Sequence, residues 1–480
     1  MSNSSPILLW LRRGDLRLAD NPALASACET GCPVIPVFLK DEMADRLGAA
    51  ARWRLEASLR ALAKDLERRE SRLILRSGAA GKALEQLAGE TGAAAVYWMR
   101  RYDPAAIECD KGVKSRLKAK GLSAKSFAGN MLFEPWTVES STGAPYRVFT
   151  PMWKALRDRE VPAPVDVPAR ISAPETWPSS EALGDWQLGA AMNRGANVLA
   201  RHAVAGEAAA TERLADFLDS RLAGYAAGRD RLDRDGTSGL SPFLAAGEIS
   251  ARQVWHAISR ARAEGLGGAE AFLRQLMWRD FAGHILFHCP EMTDRCWRPD
   301  WEAFPWNPEE DRPEVDAWKR GCTGVDLVDA AMREMQVTGV MHNRARMLVA
   351  SYLTKHLLAD WRIGMRWFED HLIDWDAGNN ALGWQWVAGC GPDAAPFFRI
   401  FNPDLQAEKF DPKGHYRRRW LAEGQSQPPV TALDFFDAAP RAWGLAPGDA
   451  RPDPVVALDR GRSAAQAAWA RFRDERGCGS

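Results

Sequence analysis

A chain of 480 residues is too long for one ordinary hydrophobic core, so two or three domains are expected. Hydrophobic residues make up 46% and charged residues 26%, a globular composition, and no uncharged apolar run reaches the length that spans a bilayer. Lys+Arg and Asp+Glu balance at 63 each, so net charge announces no nucleic-acid partner; the distribution of charge has to decide that question.

The first residues carry no basic group ahead of the apolar run Ile7-Leu8-Leu9-Trp10-Leu11, which argues against a secretory signal and for the cytoplasm. That run reads as a buried strand. So do Val34-Ile35-Pro36-Val37-Phe38, Leu73-Ile74-Leu75 and Ala95-Val96-Tyr97-Trp98. Leu55, Leu59, Leu62 and Leu66 keep helical spacing between them, as do Leu84 and Leu87. Strand–helix alternation at this rhythm predicts a Rossmann-like α/β domain with a parallel sheet over 1–133. Arg12-Arg13-Gly14-Asp15 follows the first strand where a dinucleotide fingerprint would need glycines, so this domain need not hold the main cofactor.

From 134 to 206 the pattern breaks. Pro162, Pro164, Pro168, Pro174 and Pro178 punctuate it, and the stretch reads as a linker lying over the surface. Residues 207–480 predict a mostly α-helical domain, with Ser241-Pro242, Gly247-Glu248, Gly321 and Gly378 marking breaks and a last helix near 464–473.

Eight cysteines (28, 32, 109, 289, 296, 322, 390 and 478) form no CxxC pair, so buried reduced thiols are expected and neither a zinc site nor a redox dithiol. His284 and His288 stand four apart on a helix, which two core or surface histidines explain as well as a metal does. Tryptophan is the outlier: 21 against 6 tyrosines, eleven of them between Trp278 and Trp420. Core burial accounts for most of them. It does not account for the preference for indole, which differs from phenyl in stacking area and ease of oxidation.

The chain is more specific in short segments. They are Trp10-Leu11-Arg12-Arg13-Gly14-Asp15-Leu16-Arg17 with Asp20-Asn21-Pro22-Ala23-Leu24; Thr237-Ser238-Gly239-Leu240-Ser241-Pro242; Trp278-Arg279-Asp280-Phe281; Met341-His342-Asn343-Arg344-Ala345-Arg346-Met347; the run from Asp374 to Trp386; and Ala395-Pro396-Phe397-Phe398-Arg399-Ile400-Phe401-Asn402-Pro403. In this order and spacing they resemble the photolyase/cryptochrome family over essentially the whole chain, with class I cyclobutane pyrimidine dimer photolyases the nearest pattern.

The resemblance implies FAD. Hydroxyls and free N–H groups of Thr237, Ser238, Gly239, Leu240 and Ser241 suit a pyrophosphate, although Ser241-Pro242 taken alone also reads as an ordinary helix start. Tyr225, Gln275, Arg279, Asn343, Arg346, Asp374, Asp376 and Asn380 match further FAD contacts. Asp374 and Asp376 could alternatively be a metal pair, but no third ligand with fitting spacing accompanies them. Asn380 holds the position facing flavin N5, where an amide oxygen accepts from an N–H that reduced flavin carries and oxidised flavin lacks. Plant-type cryptochromes have an aspartate there. Arg346 is expected to pair with Asp374.

Repair also requires a lesion swung out of the duplex. Trp278 and Trp386 match the family's stacking walls; Asn343 and Met347 match dimer-facing positions that are histidines in (6-4) photolyases. Gln275 departs from the pattern, standing where dimer photolyases have glutamate: its amide still donates, but it supplies no proton. Trp384, Trp361 and Trp306 match the electron-relay triad, expected to run from the surface inward. Arg229, Arg279, Arg344 and Arg399 match the DNA-binding face, and the run Arg417-Arg418-Arg419 either adds to it or is merely solvated.

The expected partner is damaged double- or single-stranded DNA, met by a monomer without a membrane. A second, antenna chromophore is left unidentified. Folate is disfavoured, because Asp294 replaces the lysine of folate binders and Tyr102-Asp103-Pro104 departs from their pattern. The function expected is cyclobutane dimer repair by an electron from excited reduced FAD. Two alternatives are a cryptochrome-type photoreceptor, motivated by Gln275, and a (6-4) photolyase.

Overall fold

Five short strands, β1 (Ile7–Leu11), β2 (Val34–Lys40), β3 (Ile74–Ser77), β4 (Ala95–Met99) and β5 (Ser123–Phe127), pair in the order β3-β2-β1-β4-β5 in a computed structural model that describes residues 5–394, 397 and 399–477. Every pairing is parallel, with Ile7 opposite both Val34 and Ala95 in register. Side chains alternate across a strand, so β1 feeds two cores. Ile7, Leu9 and Leu11 pack on one face with Leu24, Leu55, Leu59, Leu62 and Leu66; Leu8 and Trp10 pack on the other with Leu84, Leu87, Val113 and Leu117. Helices Pro22–Glu29 and Ala49–Glu67 thus cover one side, and Ala80–Thr91 and Pro104–Ala119 the other. This is the doubly wound arrangement expected, with strands buried on both faces.

The fifth strand was not visible in the apolar pattern. Ser123-Ala124-Lys125-Ser126-Phe127 lies at the sheet edge, half exposed, where little burial is needed to hold it.

The chain divides into two compact units: residues 1–191, 204–225 and 238–290 form the first, and 192–203, 226–237 and 291–480 the second. Within the first, the α/β part is joined to helices through buried ion pairs. Arg54 meets Glu248, and Arg252 meets Asp20 at 2.6 Å. Helix Ala251–Ala263 opens with a capping box between Ser250 and Gln253, and helix Ala269–His288 follows. The Pro-punctuated stretch also contains a helix, Phe149–Leu156, whose Phe149, Met152, Trp153 and Leu156 are buried.

The second unit is helical. Asp326–Thr338, Asn343–Ser351, Trp361–His371, Ala377–Ala388 and Leu458–Gly477 share one large apolar cluster, and a π-helical turn spans Tyr352–His356. Gly321 ends a helix at φ 62, as the sequence suggests. Gly378 sits inside the first turn of Ala377–Ala388 rather than at the break, which falls at Asp376. No helix among the described residues is long and apolar enough to cross a membrane.

Candidate active site

In the first unit, helix Ala269–His288 places Gln275 and Trp278 one turn apart on the same face, both half-buried. Trp278 is held from behind. Phe149 stacks on it at 3.9 Å with planes 10° apart, Phe281 meets it edge-on at 5.5 Å, and the Arg274 guanidinium lies 5.4 Å from the Phe149 ring centre. Next to it, Arg279 Nη1 donates to Asn130 O at 3.0 Å. The buried Asp280 accepts from the backbone N–H of Leu132 and Phe133 at 2.7 and 3.2 Å, and burial pushes its carboxyl up to about 6.

Tyr225 is buried between Phe217 and Phe272, edge-on to both. Gly239 has φ 65, and a β-carbon there would sit 2.6 Å from Arg213 Nε, which already donates to Ser238 O. A side chain at this turn would strain the backbone and have to displace the Arg213 guanidinium. Leu240 N donates to Ser238 Oγ at 3.3 Å. Leu240, not Ser241, occupies the N-cap of helix Ser241–Ala246, and no side chain caps it. Ser241 is its exposed first residue, so its hydroxyl is not spent on capping.

In the second unit, helix Asn343–Ser351 begins at His342, whose Nδ1 accepts from Arg344 N. Burial holds the His342 imidazole down to about 4, so it stays neutral and able to accept. Asn343 and Met347, one turn apart, touch: Asn343 Nδ2 is 3.7 Å from Met347 Sδ. Arg346 reaches both Asp374 oxygens from one nitrogen, at 2.9 and 2.7 Å, as expected, and its Nε donates to Met341 O. Asp376 accepts from Asn379 N and Nδ2 and so caps helix Ala377–Ala388. Both carboxylates thus have protein partners.

Asn380 follows on that helix. Its Nδ2 donates to Met365 O at 2.9 Å, which leaves Oδ1 as the accepting end of the amide. That orientation leaves an oxygen able to accept from a flavin N–H. The donor set of the Thr237–Ser241 turn likewise fits an anionic phosphate group, so each half suits FAD on its own chemistry.

The three relay candidates lie in the apolar cluster of the second unit. Trp384 meets Phe368 and Trp318 edge-on, Trp361 lies under Arg362, and Trp306 contacts Phe304 and Trp301. Among the described residues no ring–ring contact joins two of the three directly. Trp306 is 8% exposed, so it does not supply the surface end that the triad was expected to have. Trp386 is half-buried at the edge of the same cluster.

Three arginines of the expected DNA face already have acidic neighbours. Arg344 pairs with Asp230 at 2.8 Å and stacks on Phe410, Arg229 lies 3.7 Å from Asp230, and Arg279 lies 3.7 Å from Asp280. Arg399 is exposed, and its carbonyl takes Lys355 Nζ at 3.0 Å. Ala395, Pro396 and Phe398 of the last motif, and Cys478, lie outside the described residues.

Two groups escaped sequence reasoning. Phe149 lies in a stretch taken as linker, more than a hundred residues from the tryptophan it supports. Glu334 is half-buried, accepts from Tyr416 Oη at 2.6 Å and from His342 N at 3.3 Å, and loss of hydration around its carboxyl pushes it up to about 7. It therefore steadies the start of the Asn343 helix, and no motif marks it.

Two family profiles match the chain, one described as DNA photolyase over residues 7–169 and one as the FAD binding domain of DNA photolyase over 272–471. A deoxyribodipyrimidine photo-lyase of Agrobacterium fabrum is 45% identical over 97% of this chain and 98% of its own. Cryptochrome-2 of Arabidopsis thaliana is 34% identical over 99% of this chain and 80% of its own. Among solved structures, a bacterial class III photolyase from Agrobacterium tumefaciens superposes with a TM-score of 0.90 at 43% identity, covering 98% of each chain.

Proposed function

The chain belongs to the photolyase/cryptochrome family, and on that premise we propose how its own residues carry out light-driven repair of cyclobutane pyrimidine dimers, the activity of a deoxyribodipyrimidine photo-lyase. The observation that carries this reading is the full-length likeness to photo-lyases. Its C-terminal part is an FAD-binding domain. When bound and illuminated in its reduced form, FAD supplies the electron that opens the two bonds joining the pyrimidines, and accepts it again afterwards.

Everything else falls to the protein. Thr237, Ser238 and Ser241, with the backbone of Gly239 and Leu240, bind the pyrophosphate. Tyr225, Gln275, Arg279, Asn343, Arg346, Asp374 and Asp376 complete the FAD contacts, and Asn380 Oδ1 accepts from flavin N5–H. The orientation that Met365 O imposes on the Asn380 amide supports that role.

Lesion binding requires flipping, which costs a few kcal/mol and least for a damaged pair that stacks poorly. Trp278 and Trp386 flank the joined rings, Met347 packs against them, and Gln275 and Asn343 donate to their carbonyls. The firm backing of Trp278 by Phe149 supports a stacking wall that does not swing. Arg229, Arg279, Arg344 and Arg399 take the phosphates; Arg229 and Arg344 exchange the half-exposed Asp230 for DNA, which costs little. Trp384, Trp361 and Trp306 refill the cofactor with electrons.

The likeness to the Agrobacterium enzyme favours class III over the class I pattern read from the motifs. The proposal includes a monomer working in the cytoplasm, an antenna-type domain over 1–133, a linker over 134–206 and a catalytic domain over 207–480. It leaves the antenna chromophore unassigned. The deciding experiment illuminates the reduced, FAD-loaded protein with an oligonucleotide containing one thymine dimer. Loss of dimer in the light and not in the dark is expected; unchanged dimer content would overturn the reading.

A further inference from the structure

Trp306, the last member of the relay, has no way out. It is 8% exposed, and its Nε1 is buried with no hydrogen-bond partner among the described residues. An indole that has given up an electron is refilled from solution or loses its Nε1 proton to a base, and a buried nitrogen with no partner among the described residues impedes both. A relay ending here would favour return of the electron over refilling by an external donor.

The rings around Trp306 offer a continuation. Trp301 lies 6.0 Å away with planes 27° apart, itself buried at 3% exposure. Trp469, on the C-terminal helix, stacks on Trp301 at 5.5 Å and 25°, and is half-buried, with part of its surface open to solvent. The other rings of the cluster, Phe304, Phe397 and Phe472, are phenyls, which an oxidised indole cannot oxidise. Among the described residues, the redox-active rings that stack outward from Trp306 are therefore two tryptophans in series. The helix bearing Trp469 is also tied down beside Trp301, because Arg476 pairs with Asp300 at 2.5 Å.

We propose that Trp301 and Trp469 extend the electron relay, so that electrons enter the protein at Trp469 and pass through Trp301 to Trp306. The proposal rests on the relay reading of Trp384, Trp361 and Trp306 and adds its outer half. One electron moves inward at each hop: Trp301 reduces oxidised Trp306, and Trp469 reduces oxidised Trp301. The Trp469 radical cation then releases its Nε1 proton to water. A thiol in solution returns one hydrogen atom to the neutral radical, restoring the indole and leaving a thiyl radical. Two thiyl radicals pair as a disulfide.

The test is flash spectroscopy on the full-length, FAD-loaded protein, following tryptophan-radical absorption against dithiothreitol concentration. In the parent protein the radical is expected to disappear faster in proportion to the thiol. In Trp301→Phe and Trp469→Phe the thiol-dependent rate should fall by an order of magnitude and the radical should decay by internal return of the electron. Trp469→Tyr, which keeps an oxidisable ring, should recover most of the thiol dependence; a role in packing alone predicts no such recovery. Unchanged lifetime and thiol dependence in both phenylalanine variants would overturn the proposal. A parent protein that yields no tryptophan radical would overturn the triad reading beneath it, and dimer repair after chemical reduction reports separately on the photo-lyase reading.

Discussion

Phe149 lies face to face with Trp278, ring centres 3.9 Å apart and planes within 10° of parallel. One face of the indole is thus covered, and the other is the one proposed to stack on a lesion. Phe149 is fully buried, so Phe149→Ala is expected to cost about 3–5 kcal/mol of stability. Phe149→Leu keeps most of the volume and forgoes the stack, worth about 0.5–1.5 kcal/mol. It should raise KM for a dimer-containing oligonucleotide with little change in kcat. Urea unfolding and steady-state repair assays read the two effects.

Gln275 sits one turn before Trp278, where its amide is proposed to donate to the lesion's carbonyls. Gln275→Glu introduces a group that, when protonated, both donates a hydrogen bond and supplies a proton to developing negative charge. Dimer turnover per absorbed photon is expected to rise severalfold. A fall would show that the electrostatic account of this position has the wrong sign.

Asp374 is buried and Arg346 is its cationic partner, with side chains 2% and 28% exposed respectively. Removing one member of a fully buried pair costs about 3–5 kcal/mol. The openness of Arg346 should bring Arg346→Ala below that range. Loss of FAD is the sharper readout: the variant should release flavin on dilution, seen as a rise in free-flavin fluorescence, while Arg346→Lys retains more.

Glu334 makes stability fall with rising pH. Its folded carboxyl is raised from 4.5 to about 7, so between those values the folded state binds more protons than the unfolded one, and stability drops as pH climbs through the window. His284, His342 and His356, each depressed from 6.5 to about 4, act oppositely: the unfolded chain binds their protons first, and stability rises from pH 4 to 6.5. The difference between the parent and Glu334→Gln isolates the carboxyl. The variant's stability should gain relative to the parent as pH goes from 4.5 to 7, measured by denaturant midpoint at each pH.

Gly364 lies against Trp384 so closely that a β-carbon would fall 2.0 Å from the indole Cη2. Gly364→Ala must push the ring aside, at a cost of about 1–3 kcal/mol or more. Light-driven reduction of the bound cofactor should slow markedly while repair by chemically reduced protein changes less. Photoreduction kinetics compared with repair after chemical reduction test this.

The sequence made some of this legible and hid the rest for physical reasons. Strands β1, β2 and β4 are buried on both faces and announce themselves as apolar runs; β5 is an edge strand of mixed polarity and does not. The Arg346–Asp374 pair followed from the resemblance and is present in the structure. Phe149 could not be read, because a stacking contact across 129 positions leaves no periodic trace. The burial of Trp306 was equally silent. A tryptophan looks the same in sequence whether its nitrogen meets water or is buried without a partner.

Helix Ala377–Ala388 carries Asn380, Trp384 and Trp386, and its start is fixed by Asp376. Asn380 and Trp384 lie a turn apart on one side, and Trp386 points elsewhere. The residues proposed for the flavin contact, the electron relay and the lesion wall are thus ganged on a single rod. A tilt that improved one would detune the other two, so adaptation here has to proceed through the neighbours that press on the rod, such as Gly364 and Met365, rather than through the rod itself.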